Sequence, residues 1–136
     1  MLFPMKNGKN VVWEVLHLIV FIKNHSFESL KRKLIMLYVL NLTDLLFTLL
    51  LLSTGYFMEA NIFMVSTVAS LPKSFLLKII FPAVLLLYVF YRLQSANERQ
   101  RKRTNILISG MTGVYLLINI SHLLWLALLP LFILND

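Results

Sequence analysis

Three long apolar stretches constrain the fold of this chain more than any other feature. They cover residues 34–56, about 75–91 and 106 to about 129, and their only carboxylate and ammonium groups belong to Asp44 and Lys78. A helix needs about 20 residues to cross the roughly 30 Å hydrocarbon core of a bilayer. Because lipid offers the backbone no hydrogen bonds, stretches of this length are expected to be helical. The sequence therefore predicts three transmembrane helices.

Composition agrees with a single membrane domain over residues 1–136. Hydrophobic residues make up 59% of the sequence, charged residues 14%, and the mean hydropathy is +0.79. A chain this short cannot bury so much apolar surface in a core of its own. The net charge of +7 points to anionic lipid and not to nucleic acid, because the basic residues lie beside the apolar stretches without interleaved aromatic residues. The sequence contains no cysteine, which excludes disulfides and thiolate chemistry.

Residues 10–22 form a shorter apolar segment before the first span. Its aliphatic residues and Trp13 suit an amphipathic helix that lies on the inner membrane surface. Two alternatives stay open, namely packing against the helix bundle and insertion as a tilted fourth span. The predicted fold class is all-α, a polytopic membrane protein with three transmembrane helices and a short amino-terminal interfacial helix.

The positions of the basic residues predict the orientation in the membrane. Cytoplasmic segments of membrane proteins carry an excess of Lys and Arg. With three spans, both basic clusters fall on one side, which puts the amino terminus in the cytoplasm and the carboxyl terminus outside the cell membrane. We expect these clusters to contact anionic lipid. They are Lys31, Arg32 and Lys33 before the first span, and Arg99, Arg101, Lys102 and Arg103 before the third.

Polar side chains inside the apolar stretches are the best candidates for a functional site, because polar groups are costly at bilayer depth. Asn41, Asp44 and Thr48 follow one another at spacings that share a helix face. A central Asp costs about 3 kcal/mol on insertion scales, so we expect its carboxyl group to be paired with Lys78 or protonated. The predicted intramembrane network comprises Asn41, Asp44, Thr48, Lys78, Asn119 and His122, and Glu59 and Asn61 form a predicted outer-side cluster.

Three roles fit this network. Buried polar contacts hold membrane helices together by roughly 0.6 to 2 kcal/mol each. The same groups suit an ion or small-solute pathway, which needs an oligomer because three helices hardly enclose a pore. An intramembrane hydrolase would use Asp44, Glu59 and His122 as acid, base or metal ligands. Their spacing matches no metal-site template, so we predict no metal and no cofactor and assign no catalytic residue.

The first span and the segment after it also resemble a known family. Asn41-Leu42-Thr43-Asp44 and Glu59-Ala60-Asn61 match the pattern of small prokaryotic integral membrane proteins grouped as domain of unknown function 5658. Lys78 and the tract 115–122 are similar too, and the resemblance covers about residues 34–126. Ile62 departs from the pattern, in which proline usually follows Glu-Ala-Asn. The resemblance implies a bacterial or archaeal cell membrane and no particular substrate. It groups as one constellation Asp44, Glu59, Asn61, Lys78 and His122.

These observations favour a structural or regulatory membrane protein that acts through helix contacts with itself, as a homo-oligomer, or with a larger membrane partner. The alternative is an oligomeric permease for an ion or small solute, with Asp44 and Lys78 on the pathway. An intramembrane hydrolase comes third, and the sequence leans against an enzyme.

Overall fold

The computed structural model describes residues 8–58 and 70–134, and these residues form helices joined by short connections. The helices are α1 (Gly8–Lys23), α2 (Phe27–Ser53), α3 (Leu71–Phe75), α4 (Phe81–Gln94) and α5 (Glu98–Leu134). A π-helical turn, Leu76–Ile80, joins α3 to α4 without a break, so the three segments form one continuous second span. No β-strand occurs within the described ranges. Three helices are long and apolar enough to cross a membrane: Phe27–Ser53, Pro72–Gln94 and Glu98–Leu134. This confirms the predicted all-α class and three helices of membrane-spanning length and composition.

Capping residues set the ends of α2. The hydroxyl of Ser26 accepts a hydrogen bond from the backbone N–H of Ser29 at 3.3 Å, which satisfies one of the free amides of the first turn. At the other end, Gly55 adopts a φ of 78°, the left-handed conformation that commonly ends a helix. The helix therefore begins seven residues before the predicted residue 34 and ends three before residue 56. The apolar pattern detects only the part of a helix that lies in lipid, and α2 extends beyond that part at its amino-terminal end.

The third span also exceeds its predicted range of 106 to about 129. It begins at Glu98 because Asn97 and Gln100 exchange side-chain to backbone hydrogen bonds of 2.9 and 3.0 Å, a capping box. It continues through Pro130 to Leu134, although the sequence predicted an end at that proline. Proline removes only one backbone hydrogen bond in a helix, and membrane-spanning helices tolerate this loss.

The first span lies at the centre of the bundle. In α2, 39% of the apolar window is buried, against 6% in the second span and 6% in α5. A small apolar core, at the end of the bundle where α2 begins, joins α2 to both other spans through Leu30, Leu34, Leu37, Leu93 and Ile108. The second span and α5 consequently leave most of their apolar surface uncovered by this chain.

The amino-terminal helix α1 lies apart from the bundle, and every side chain from residue 11 to residue 20 is exposed. Its carboxyl end is held by hydrogen bonds from α2 and α5. The Lys33 ammonium donates to the carbonyls of Ile22 and Asn24 at 3.0 and 2.9 Å and to Oδ1 of Asn105. The Asn105 amide also donates to the Ile22 carbonyl at 2.9 Å. These bonds satisfy carbonyls that lack partners within the last turn of a helix.

The burial of Lys33 corrects one prediction. Lys33 was grouped with Lys31 and Arg32 as a contact for anionic lipid, but it is only 2% exposed and its ammonium is occupied by protein oxygens. Its neighbours Lys31 and Arg32 are exposed. Exposed and buried cations thus lie within one turn of α2, because α5 and the end of α1 pack against only one side of it.

Candidate functional site

A triad of ionisable side chains joins the three spans near the middle of α2. Asp44 Oδ2 lies 3.3 Å from the Lys78 ammonium, and Asp44 Oδ1 lies 3.4 Å from Nδ1 of His122. The three side chains are 11%, 12% and 19% exposed, respectively. Each of the three spans therefore contributes one member of the triad.

The π-helical turn places Lys78 against α2. Such turns leave backbone carbonyls without their usual helical partners, and they are frequent at functional sites. Here Asn41 Nδ2 donates to the Lys78 carbonyl at 2.6 Å, and the Tyr38 hydroxyl donates to the Ile79 carbonyl at 3.4 Å. Two side chains of α2 thus hold the turn. Tyr38 was not among the predicted network residues, although it lies three positions before Asn41 and so shares its helix face.

A second layer of hydrogen bonds connects α2 to α5. The Tyr115 hydroxyl donates to Asn41 Oδ1 at 3.2 Å. The Asn119 amide donates to the Leu40 carbonyl at 3.1 Å and to the Tyr115 carbonyl at 2.8 Å. Asn41 therefore binds the second span through its amide group and α5 through its carbonyl oxygen.

The structure does not bring every predicted site residue into these contacts between helices. The Thr48 hydroxyl donates to the Asp44 carbonyl at 2.8 Å, a bond within α2 that joins no other helix. Glu59 and Asn61, the predicted outer-side cluster, lie outside the described residues. The residues brought together across helices are Asn41, Asp44, Lys78, Asn119 and His122.

The triad lines a cavity of about 680 Å³ between the three spans. Polar groups from all three spans meet in its middle. Its apolar wall extends from Leu37 and Met111 to Phe57 and Trp125. At the end of the cavity formed by Phe57 and Trp125, these two side chains and Phe132 form an aromatic cluster with ring centroids 5.8 to 6.5 Å apart. The polar lining consists of Asn41, Asp44, Thr48, Lys78, Tyr115, Ser121 and His122.

The charge of the site depends on His122. With Asp44 and Lys78 as an ion pair, the triad is neutral with a neutral imidazole and singly positive with an imidazolium. Nδ1 of His122 is buried and makes no well-aligned hydrogen bond in the structure. Within the described ranges, no three His, Asp or Glu side chains are grouped to hold a metal ion.

Comparison with known proteins assigns the chain to a family. No curated protein and no solved structure matches the chain. A family model described as a domain of unknown function, DUF5658, matches residues 35–128, a range that includes the whole triad. The match confirms the resemblance seen in the sequence. The chain, with three helices long and apolar enough to span a membrane, thus belongs to the DUF5658 family.

Proposed function

We propose that the protein is a multi-pass membrane protein that takes up a small solute or ion in the cavity around Asp44, Lys78 and His122, as a subunit of an oligomeric permease. The observation that carries this proposal is the ionisable triad on the wall of a 680 Å³ cavity at the depth of the spans. Ionisable residues within transmembrane segments commonly mark substrate and ion pathways.

The cavity favours a pathway over helix contacts alone. Side chains that only hold helices together need to be paired and closely packed, and they need no space beside them. Here Asp44 and Lys78 are paired but also line open space, and the irregular turn that carries Lys78 is held by Asn41. Pockets of roughly 300–1,000 Å³ are typical of small-molecule sites.

An oligomer is part of this proposal because three helices hardly enclose a pore. The second span and α5 expose most of their apolar surface, which supports contacts with lipid and with a second copy of the chain. A neighbouring copy would close the side of the cavity that one chain leaves open.

The test is solute entry into proteoliposomes that contain the wild-type chain or the variants Asp44→Asn, Lys78→Met and the double variant. We expect wild-type vesicles to swell faster than empty vesicles for at least one small solute or salt in a panel, measured by light scattering. Asp44→Asn should abolish this difference while the variant stays folded in detergent. Glu28→Gln, which neutralises an exposed carboxylate of the same helix, is the matched control and should behave like the wild type.

A structural or regulatory role through helix contacts is the second candidate. It is favoured by the same uncovered faces of the second span and α5, which offer contacts to a larger membrane partner. If no solute enters faster in wild-type vesicles, and the double variant is more stable than either single variant, the pair is structural and the permease proposal is wrong. The intramembrane hydrolase would need Glu59, which lies outside the described residues, so it stays a sequence-based hypothesis.

The placement in the membrane is also a proposal. The basic clusters support a cytoplasmic amino terminus, with Lys31, Arg32 and the first turns of α5 at the inner surface of a bacterial cell membrane. The exposed cations of both clusters are proposed contacts for anionic lipid. The exposed apolar side chains of α1 support an interfacial position for this helix, since the bundle does not cover them.

A further inference from the structure

We infer that the cavity binds the anionic group of a single-chain amphiphile together with one proton, which His122 takes up from water. This inference rests on the proposed permease function and names its class of ligand. Three observations carry it: the distribution of apolar and polar wall, the occupied oxygens of Asp44, and the charge of the triad.

The wall of the cavity matches an amphiphile. Its polar groups meet in the middle, where the Lys78 ammonium and the His122 imidazole line the space. On one side of them the wall is formed by Leu37 and Met111, and on the other by Phe57 and Trp125. A ligand that fills this space needs an apolar body and one polar group, because a fully polar solute would leave apolar wall against water.

The occupied carboxylate selects an anion over a cation. Both Asp44 oxygens already face cationic or basic partners, Lys78 at 3.3 Å and His122 at 3.4 Å. Among the residues that the structure describes, Asp44 is the only carboxylate that lines the cavity, so a cationic ligand would have to displace the Lys78 ammonium from it. An anion needs no displacement, because an ammonium has three donors and only one of the Lys78 donors is directed at Asp44.

The proton follows from charge balance. With a neutral imidazole the triad is neutral, so a bound anion would leave one uncompensated negative charge at bilayer depth, which is costly. Protonation of His122 restores neutrality, and Nδ1 of the imidazolium lies 3.4 Å from Asp44 Oδ1. The ionisable groups around the imidazole in the described residues are Asp44 from α2, Lys78 from the π-helical turn and Tyr115 on α5 itself. Asp44 is the other base among them, and its carboxylate is already paired with the Lys78 ammonium.

Isothermal titration calorimetry tests this inference with the full chain in phosphatidylcholine nanodiscs and dodecanesulfonate as the probe. A sulfonate stays ionised throughout, so any pH dependence of its binding belongs to the protein. Binding to empty nanodiscs is subtracted. We expect affinity to rise as the pH falls from about 8 towards about 5, by up to about tenfold per pH unit. Titrations in buffers of different ionisation enthalpy should show uptake of about one proton per bound anion.

Matched ligands and variants make the result specific. Dodecyltrimethylammonium has the opposite charge, dodecanol has no charge, and ethanesulfonate lacks the long apolar chain. Each should bind at least tenfold more weakly than dodecanesulfonate. His122→Gln should remove the pH dependence, whereas His17→Gln, the same change on the exposed helix α1, should retain it. If His122→Gln does not fold, the wild-type proton uptake decides alone. Binding without proton uptake overturns the inference.

The failure of this inference can be told apart from failure of the proposed function. If the ammonium or the alcohol binds best, and Met111→Trp blocks that binding by filling the cavity, the cavity is a ligand site of another class and only the anion assignment is wrong. If no probe binds and vesicles show no solute entry, both proposals fail.

Discussion

At the scale of single residues, cations with the same sequence neighbourhood have different environments. Lys31 is exposed, whereas Lys33, two positions later, is buried with protein oxygens around its ammonium. The Phe21 ring, 5.1 Å from the Lys33 nitrogen, closes the same site. A buried cation without a carboxylate is stable here because carbonyls at a helix carboxyl end carry partial negative charge.

The pair Lys31 and Lys33 provides the residue-scale prediction. Lys33→Met removes the donor to Asn105 Oδ1 and one of the two donors to each of the Ile22 and Asn24 carbonyls, so we expect the free energy of unfolding in detergent to fall by about 2 kcal/mol. Lys31→Met should change it by less than about 0.5 kcal/mol. Binding to anionic vesicles should show the opposite order, with a loss of about 1 kcal/mol for Lys31→Met and none for a folded Lys33→Met. Equal effects of the two variants in both measurements would contradict the assignment.

At the scale of elements, the second span and α1 depart from regular, fully packed helices in different ways. The second span contains a π-helical turn that carries Lys78 and is held by Asn41 and Tyr38. α1 is regular, and its exposed side chains from residue 11 to residue 20 include apolar ones on most of its circumference. Its apolar surface therefore needs lipid or a partner, and a surface helix is the arrangement that buries it in lipid while its polar residues stay in water.

The depth of Trp13 distinguishes the interfacial position of α1 from insertion. The sequence contains two tryptophans, so Trp125→Phe leaves Trp13 as the single fluorophore. We expect its emission to be quenched most by lipids that carry a nitroxide close to the headgroup, since an interfacial helix penetrates only about 5–10 Å. Strongest quenching by nitroxides at the chain end would instead indicate a tilted fourth span.

At the scale of the whole molecule, the positions of the exposed basic residues determine the proposed orientation. The first two turns of α5 carry exposed Arg99, Lys102 and Arg103, while α2 has no basic residue in its last turn. The bias of Lys and Arg towards one end of the bundle is what orients short membrane proteins during insertion.

Single-cysteine labelling tests the orientation directly, because the chain contains no cysteine to remove. Met58→Cys is at a position that is 92% exposed after α2, and Arg99→Cys is exposed in the first turn of α5. In intact cells, a membrane-impermeant maleimide should label position 58 and should label position 99 only after permeabilisation. The reverse pattern would show the opposite topology.

Much of the candidate site follows a local rule and part of it does not. The shared face of Asn41 and Asp44 follows from helical periodicity alone, and the spacing from Tyr115 to His122 does too. Asp44 and Asn41 contact Lys78, which lies 34 and 37 residues further along the chain, respectively. Lys78 is in the π-helical turn, which does not have regular α-helical geometry. Periodicity assumes a regular helix, so it could not locate the carbonyls that this turn leaves for Asn41 and Tyr38.

The sequence by itself determined the three spans, because the length of an apolar stretch is matched against the fixed thickness of a bilayer. It also determined the family, because the family pattern consists of residues in the sequence. Only the tertiary structure decided where the helices end, which cation is buried, and that the polar groups of three helices meet at a cavity. Lys33 and Asn105 are 72 residues apart, and nothing local marks either as a partner of the other. Spans are properties of single segments in lipid, whereas burial and pairing are properties of the surfaces that several segments bring together.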